Sequence, residues 1–397
     1  MTGRIVVVGI GADGWSGLSE AARAAVLSAD EVVGSRRQLD LLPSDAPPAR
    51  PWPSPIGPLV DELVGRAAGC VCVLASGDPM LHGIGATLAR RLEADRLEVI
   101  VHPSALALAC ARLGWAEAEV ALVSTVARPA ATVARVLQDG RRVVVYGGAA
   151  AVAELVTAAG FGPSRLVVLE QLGGPAERMA EATAETWGDR EIDPLHVVAL
   201  DCVRAPGAPL RPLVPGLPDD AFAHDGALTK RHIRAATLAA LAPTPDGLLW
   251  DIGAGSGSIA IEWMRAEPTA RAVAVESRPD RAERIGANAA RLGVPSLAVI
   301  TGQAPEALAG LDRPQAVFIG GGLTTPGVLD TAWDALEPRG RLVANAVTVE
   351  GERVLFEARA SRGGDLVRLE VSRAEPIGSF TAWRPALPIV QWSVAKP

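Results

Sequence analysis

Short β-branched and aliphatic runs recur along this chain, separated by longer stretches rich in alanine, leucine and arginine. Arg4 to Val8, Val71 to Ala75, Val120 to Ser124, Leu248 to Asp251, Ala272 to Val275 and Ala316 to Ile319 read as strands. Pro279 to Arg291 reads as a helix. Strand-length runs alternating with helical stretches are the signature of βαβ units, so an α/β fold with parallel sheets is expected. The pattern breaks at Arg204 to Pro218, where proline and glycine forbid regular structure. This divides the chain into a domain at 1–203, a linker at 204–220 and a domain at 221–397. Near the end, Leu366 to Ser372 and Pro388 to Val394 read as two strands with no helix between them, which predicts an antiparallel hairpin at a sheet edge.

Composition narrows the picture. With 397 residues and 49% hydrophobic content, the chain is long and apolar enough for two cores. No window offers the ~20 uninterrupted apolar residues of a membrane span, and Met1-Thr2-Gly3-Arg4 leads into a strand without a signal-peptide pattern. A cytoplasmic protein without membrane partners is expected. The four cysteines, Cys70, Cys72, Cys110 and Cys202, form no CxxC and read as buried apolar residues. A net charge of −7 argues against a nucleic-acid surface while leaving room for a local basic pocket.

The richest chemistry follows the strand that ends in Asp251. The loop Gly253-Ala254-Gly255-Ser256-Gly257 permits positive φ and close backbone approach. Glu276 closes the next strand, where a carboxylate accepts the hydroxyls of a ribose. Asn288, the turn Gly302-Gln303-Ala304-Pro305-Glu306 and Gly320-Gly321-Gly322 follow in positions that would line the same crevice at the carboxyl ends of strands. The arrangement reads as an adenosine site. Its DxGxGxG spacing resembles the first motif of class I S-adenosylmethionine methyltransferases, and the two closing strands also resemble the way that family ends.

The first domain opens on Gly9-Ile10-Gly11-Ala12-Asp13-Gly14, a literal GxGxxG after a strand. A dinucleotide site would need an acid at the far end of the next strand, yet Asp30 and Glu31 precede Val32-Val33 and lie at the wrong end. A second loop, Ser76-Gly77-Asp78-Pro79 to Gly83, is followed by His102-Pro103-Ser104, by Arg128 and by Gly173-Gly174-Pro175-Ala176-Glu177-Arg178. Together these resemble the tetrapyrrole methylase family, whose cofactor lies in a cleft between two α/β lobes. The resemblance implies that Gly77, Asp78 and Gly83 meet S-adenosylmethionine and that Gly9, Gly11 and Gly14 face the substrate.

A tetrapyrrole methylase half followed by a class I half resembles the bifunctional precorrin-6Y C(5,15)-methyltransferase (decarboxylating) family over nearly the whole chain. Phe222 to Arg234, Gly340 to Thr348 and Gln391-Trp392 carry that resemblance in the second domain. It implies methylation of a precorrin at carbons 5 and 15, with loss of carbon dioxide from the carbon-12 acetate. The first domain would serve carbon 5, and the second carbon 15 and the decarboxylation. The cofactor set would be Gly77, Asp78, Gly83, Thr229, Asp251, Gly253, Ala254, Gly255, Ser256, Gly257, Glu276, Gln303 and Ala304. Arg128, Lys230, Arg231 and Arg234 would meet the carboxylates of an anionic tetrapyrrole. Thr229 reads first as a helix N-cap, and His224 and His232 as structural residues or proton donors. The chain departs from the family pattern at Val126-Ala127-Arg128, in place of histidine-glycine-arginine, and at Gln303, in place of an acid. A homo-oligomer is expected. The alternatives are the cobalt-bearing substrate, a nicotinamide-dependent oxidoreductase and a non-catalytic corrinoid-binding protein.

Overall fold

The computed structural model describes residues 3–397. Met1 and Thr2, the first residues of the expected leaderless start, lie outside the described residues. The chain divides into two compact units, Met1–Ala130 with Asp139–Ala205, and Ala131–Gln138 with Pro206–Pro397. The first unit runs to Ala205, while the segment Ala131–Gln138 and the proline- and glycine-rich stretch from Pro206 onward group with the second. A Cβ on Gly293 would lie 2.1 Å from the Arg135 nitrogen, and Arg135 Nε donates to the Arg265 carbonyl at 3.1 Å.

The first unit holds two five-stranded sheets. In one, β1 (Arg4–Ile10), β2 (Glu31–Gly34), β3 (Ala49–Pro51), β4 (Cys70–Ser76) and β5 (Leu97–Ile100) run parallel in the order β3-β2-β4-β1-β5. Alternation along β1 sends Ile5 and Val7 into one core and Val6, Val8 and Ile10 into another, so both faces are covered as a parallel sheet requires. The other sheet is mixed. Its strands β6 (Val120–Ser124), β7 (Arg142–Tyr146), β8 (Arg165–Glu170), β9 (Arg178–Thr183) and β10 (His196–Asp201) are ordered β6-β7-β10-β8-β9, with only β6 and β7 parallel.

The second unit is built on a seven-stranded sheet. Five parallel strands, β11 (Leu248–Ile252), β12 (Arg271–Glu276), β13 (Ala298–Thr301), β14 (Ala316–Ile319) and β15 (Arg341–Ala346), are joined by β16 (Asp365–Leu369) and β19 (Ile389–Ala395) in the order β13-β12-β11-β14-β15-β19-β16. Every residue of β11 is buried. Leu249 enters one core with Phe318 and Trp263, while Leu248, Trp250 and Ile252 enter the other with Trp392.

The expected closing hairpin is half right. β16 and β19 do pair antiparallel, with Leu366 opposite Trp392, but β19 lies inside the sheet against β15 and β16 takes the edge. Between them stands a separate hairpin of β17 (Ser372–Ile377) and β18 (Phe380–Pro385). All but one of its strand residues are exposed, so no buried face marks it in the pattern of apolar positions. Among the described residues no helix is long and apolar enough to cross a membrane.

Candidate functional site

In the second unit, β11, β12 and β14 all end at one edge of the sheet, and the loops leaving them pack on each other. Gly253 has φ +70°, and a Cβ there would fall 2.6 Å from the Gly321 Cα, so two glycine loops touch backbone to backbone. A side chain on Gly257 would strike Ile285 at 2.6 Å. Glu276, buried at the end of β12, accepts Gly255 N–H through Oε2 at 2.8 Å and Arg278 N–H through Oε1 at 3.0 Å. These loops wall a cavity of about 710 Å3, inside the ~300–1,000 Å3 range of small-molecule sites. Gly253, Ala254, Gly255, Thr229 and Lys230 line it.

Other expected cofactor residues lie beneath or beside that lining. Asp251 is fully buried and turned under the helix Ser258–Ala266, where Oδ2 accepts Ala260 N–H at 3.0 Å and Oδ1 has no partner. Burial pushes its pKa up to about 7, the Ala260 bond lowering it and Glu276 raising it further. Ser256 is buried with an unpartnered hydroxyl, and Asn288 ties the Ser256 carbonyl to that of Ala223. Gln303 is exposed and Ala304 half-buried in the turn after β13, beside Glu276, whose carbonyl accepts Gly302 N–H.

The segment before the helix Arg231–Leu241 forms the facing wall. Asp225 accepts from Arg281 at 2.9 Å and from Ala227 N–H at 3.1 Å, contacts that hold its pKa at about 2. Ala227 in turn sits over the glycine loop, its carbonyl 3.0 Å from where a Cβ on Gly255 would be. Two expectations are corrected here. Lys230, not Thr229, is the N-cap, without a side-chain capping bond. Arg234 is fully buried and saturated: it pairs with Glu262 at 2.6 Å and Asp219 at 3.3 Å, donates to the carbonyls of Thr229 and Leu217, and lies over the Phe222 ring. It holds the fold and is closed to a substrate carboxylate. Arg231 does not line the cavity.

In the first unit, β1 and β4 are neighbours in register, with Ile10 opposite Ser76, so the loops after them start level. Gly77 N–H donates to the Ile10 carbonyl at 3.1 Å, and a Cβ on Gly9 would fall 2.2 Å from the Gly77 carbonyl oxygen. They open on a cavity of about 640 Å3 reached by Gly11, Gly77, Asp78 and Gly83. Gly9 and Gly14 shape the first loop without lining it. Asp78 accepts Met80 N–H at 2.8 Å, fixing its loop. Arg128 does not line the cavity either, yet lies near enough to His82, which does, to help burial lower the histidine pKa. Gly174 packs on Ala12, and Glu177 clamps Gly173 N–H and Arg112, so this glycine-rich segment braces the first loop. Asp30 and Glu31 lie at the opposite end of the sheet, bound to Cys70 N–H and to Arg66 and Arg50.

Residues 4–187 match the family model described as tetrapyrrole (corrin/porphyrin) methylases, and residues 220–396 match that of the precorrin methyltransferase domain. A Sinorhizobium sp protein described as precorrin-6Y C(5,15)-methyltransferase [decarboxylating] is 47% identical over 99% of this chain and 96% of its own. The chain belongs to the precorrin-6Y C(5,15)-methyltransferase family. A protein of the same description from Mycobacterium tuberculosis is 46% identical over 99% of this chain and 100% of its own. The crystal structure of the C-terminal domain of precorrin-6Y C5,15-methyltransferase from Rhodobacter capsulatus is 47% identical and covers 47% of this chain and 100% of that one, with a TM-score of 0.45. As a member of this methyltransferase family, the chain joins an N-terminal tetrapyrrole methylase domain to a C-terminal methyltransferase domain.

Several lining residues went unnoticed in the sequence of this precorrin-6Y C(5,15)-methyltransferase family member. Tyr146, whose hydroxyl accepts Leu106 N–H at 3.0 Å, and His196, whose Nε2 is buried without a partner, line the first cavity. Both lie on strands of the second sheet, and no spacing links them to the glycine loops. Arg373 and Arg384 of the exposed hairpin line the second.

Proposed function

We propose that this chain transfers methyl groups from S-adenosylmethionine to carbons 5 and 15 of precorrin-6B and releases carbon dioxide from the carbon-12 acetate. The first unit would serve carbon 5, and the second carbon 15 and the decarboxylation. The observation that carries this reading is the presence of two separate cavities, each opening where a glycine loop leaves a parallel strand. An oxidoreductase reading is disfavoured because the acids near the GxGxxG are engaged at the far end of the sheet.

The second site fits the cofactor. Gly253 and Gly255 present backbone to the cavity where a Cβ would strike Gly321 or the Ala227 carbonyl, Ala254 lines it between them, and Glu276 stands at the end of the adjacent strand. When bound, S-adenosylmethionine supplies an electrophilic methyl on a sulfonium. The residues present need not include a strong nucleophile, since an electron-rich macrocycle carbon forms the new bond as the sulfur–methyl bond breaks. What the chain supplies is alignment, with Phe318, Ile259 and Leu387 giving an apolar wall for a flat macrocycle and Lys230 a cation for its carboxylates. For decarboxylation the protonated macrocycle takes the electron pair, a proton from solvent replaces the carbon dioxide lost so that the acetate becomes a methyl group, and the protein contributes orientation and removal of water from the carboxylate.

Freshly generated precorrin-6B incubated with the full chain and methyl-labelled S-adenosylmethionine is expected to gain two labelled methyls and lose one carbon dioxide by mass spectrometry. An intact precursor beside a folded, cofactor-binding protein would overturn the reading for the metal-free substrate, and the cobalt-bearing precursor run in parallel would show whether metal is required.

A further inference from the structure

We infer that Arg373 and Arg384, on the exposed hairpin of the second unit, form a clamp for the carboxylates of the tetrapyrrole and determine where the macrocycle sits over the carbon-15 site. The inference rests on the proposed function. The two arginines are direct partners in the β17–β18 ladder, on one face of the hairpin, and both line the cavity. Like charges directly opposite each other weaken an antiparallel pair, and a third anion bridging both forks would relieve that repulsion. Neither is absorbed by the core: their side chains are 55% and 74% exposed.

Each arginine has one acid near it, and Glu375 lines the cavity beside them. Glu375 meets Arg384 at 3.1 Å and is itself 45% exposed, while Asp219, 3.7 Å from Arg373, is already committed to Arg234 and to Arg231 N–H. An arginine offers a planar fork of donors that matches a carboxylate through two parallel bonds, and two forks side by side suit a substrate carrying several carboxylates. Behind them Val371, Pro385 and Leu387 continue the cavity wall as an apolar surface, so the hairpin presents cations at its rim and a surface for a ring beneath. The expected clamp at Lys230, Arg231 and Arg234 shrinks to Lys230 across the same cavity, and the hairpin supplies the missing cations.

The test is the full-length Arg373→Gln/Arg384→Gln variant, assayed with precorrin-6B and labelled S-adenosylmethionine. The KM for carbon-15 methylation should rise at least about ten-fold, with kcat nearly unchanged. Carbon-5 methylation in the same molecule and binding of S-adenosylhomocysteine to the second unit should stay within about two-fold, the margin of a surface change. Arg373→Lys/Arg384→Lys should recover part of the loss, because charge is kept while the fork is not. An unchanged KM would overturn the inference, and so would loss of S-adenosylhomocysteine binding, which would assign the arginines to the cofactor. Failure of the unsubstituted chain to methylate carbon 15 would remove the proposed function and the clamp together, and it is read before any variant is made.

Discussion

Asp251 is a carboxylic acid in a place where a carboxylate is costly. It sits fully buried in the all-buried strand β11, with one oxygen on the Ala260 N–H and the other unpartnered. Burial raises its pKa to about 7, above the ordinary aspartate value of 3.8. Between those two values the folded protein keeps a proton that the unfolded chain has released. Stability from this group is therefore complete below about pH 4 and is lost as pH rises through 7, by up to ~1.4 kcal/mol per pH unit. Asp251→Asn keeps an acceptor for Ala260 and removes the titration. Urea unfolding at pH 5 and pH 7.5 should show the variant gaining on the parent by on the order of 2 kcal/mol across that interval. Parallel curves for the two proteins would mean that Asp251 is ionised throughout.

Among elements, the contact between the helices Arg231–Leu241 and Ser258–Ala266 depends on a buried ion pair. Glu262 takes Arg234 Nε at 2.6 Å and also the N–H groups of Gly216 and Leu217, so it ties both helices to the segment that enters the second unit. Arg234→Ala would strand that carboxylate without its cation, a change worth ~3–5 kcal/mol. A fall of at least roughly 6 °C in melting temperature is expected by calorimetry, with no change in carbon-5 methylation. A melting temperature within a degree of the parent would show that water or a neighbour replaces the guanidinium. This pair also marks a limit of the sequence. The strands β1, β4 and β11 were legible because burial on both faces writes a continuous apolar run, and the glycine loops because positive φ at Gly253, Gly255 and Gly257 and close backbone approach at Gly9 both favour glycine. Arg234 was misread because Lys230, Arg231 and Arg234 look alike in a row, while the partners that bury one of them, Asp219 and Glu262, lie elsewhere in the chain. The hairpin β17–β18 left no trace because nothing on it is fully buried, and its arginines become a pair only through cross-strand register.

At the scale of the whole molecule, each cavity is assembled within a single unit. Among the described residues none that lines one lines the other, so each methylation should be silenced separately. Gly77 and Gly253 allow this to be done alike, because each has positive φ in a loop that meets backbone: Gly77 lies at +60° with a Cβ position 3.2 Å from the Pro103 carbonyl oxygen, and Gly253 at +70° against Gly321. A β-branched residue is strained at such φ and would push each loop into its own cavity. With precorrin-6B, Gly253→Val should yield a product with one labelled methyl and its acetate intact, or no product if the first unit acts only after carbon 15 is methylated. Gly77→Val should yield one labelled methyl with carbon dioxide lost, or no product if the second unit acts only after carbon 5 is methylated. Mixing the two variants separates these cases: each retains one working unit, so the mixture should restore two methyls and the decarboxylation in either case. Retention of both methyls by either variant alone would refute the assignment of one reaction to each unit. Failure of the mixture, with both proteins folded by circular dichroism, would mean that the two reactions must occur within one intact chain.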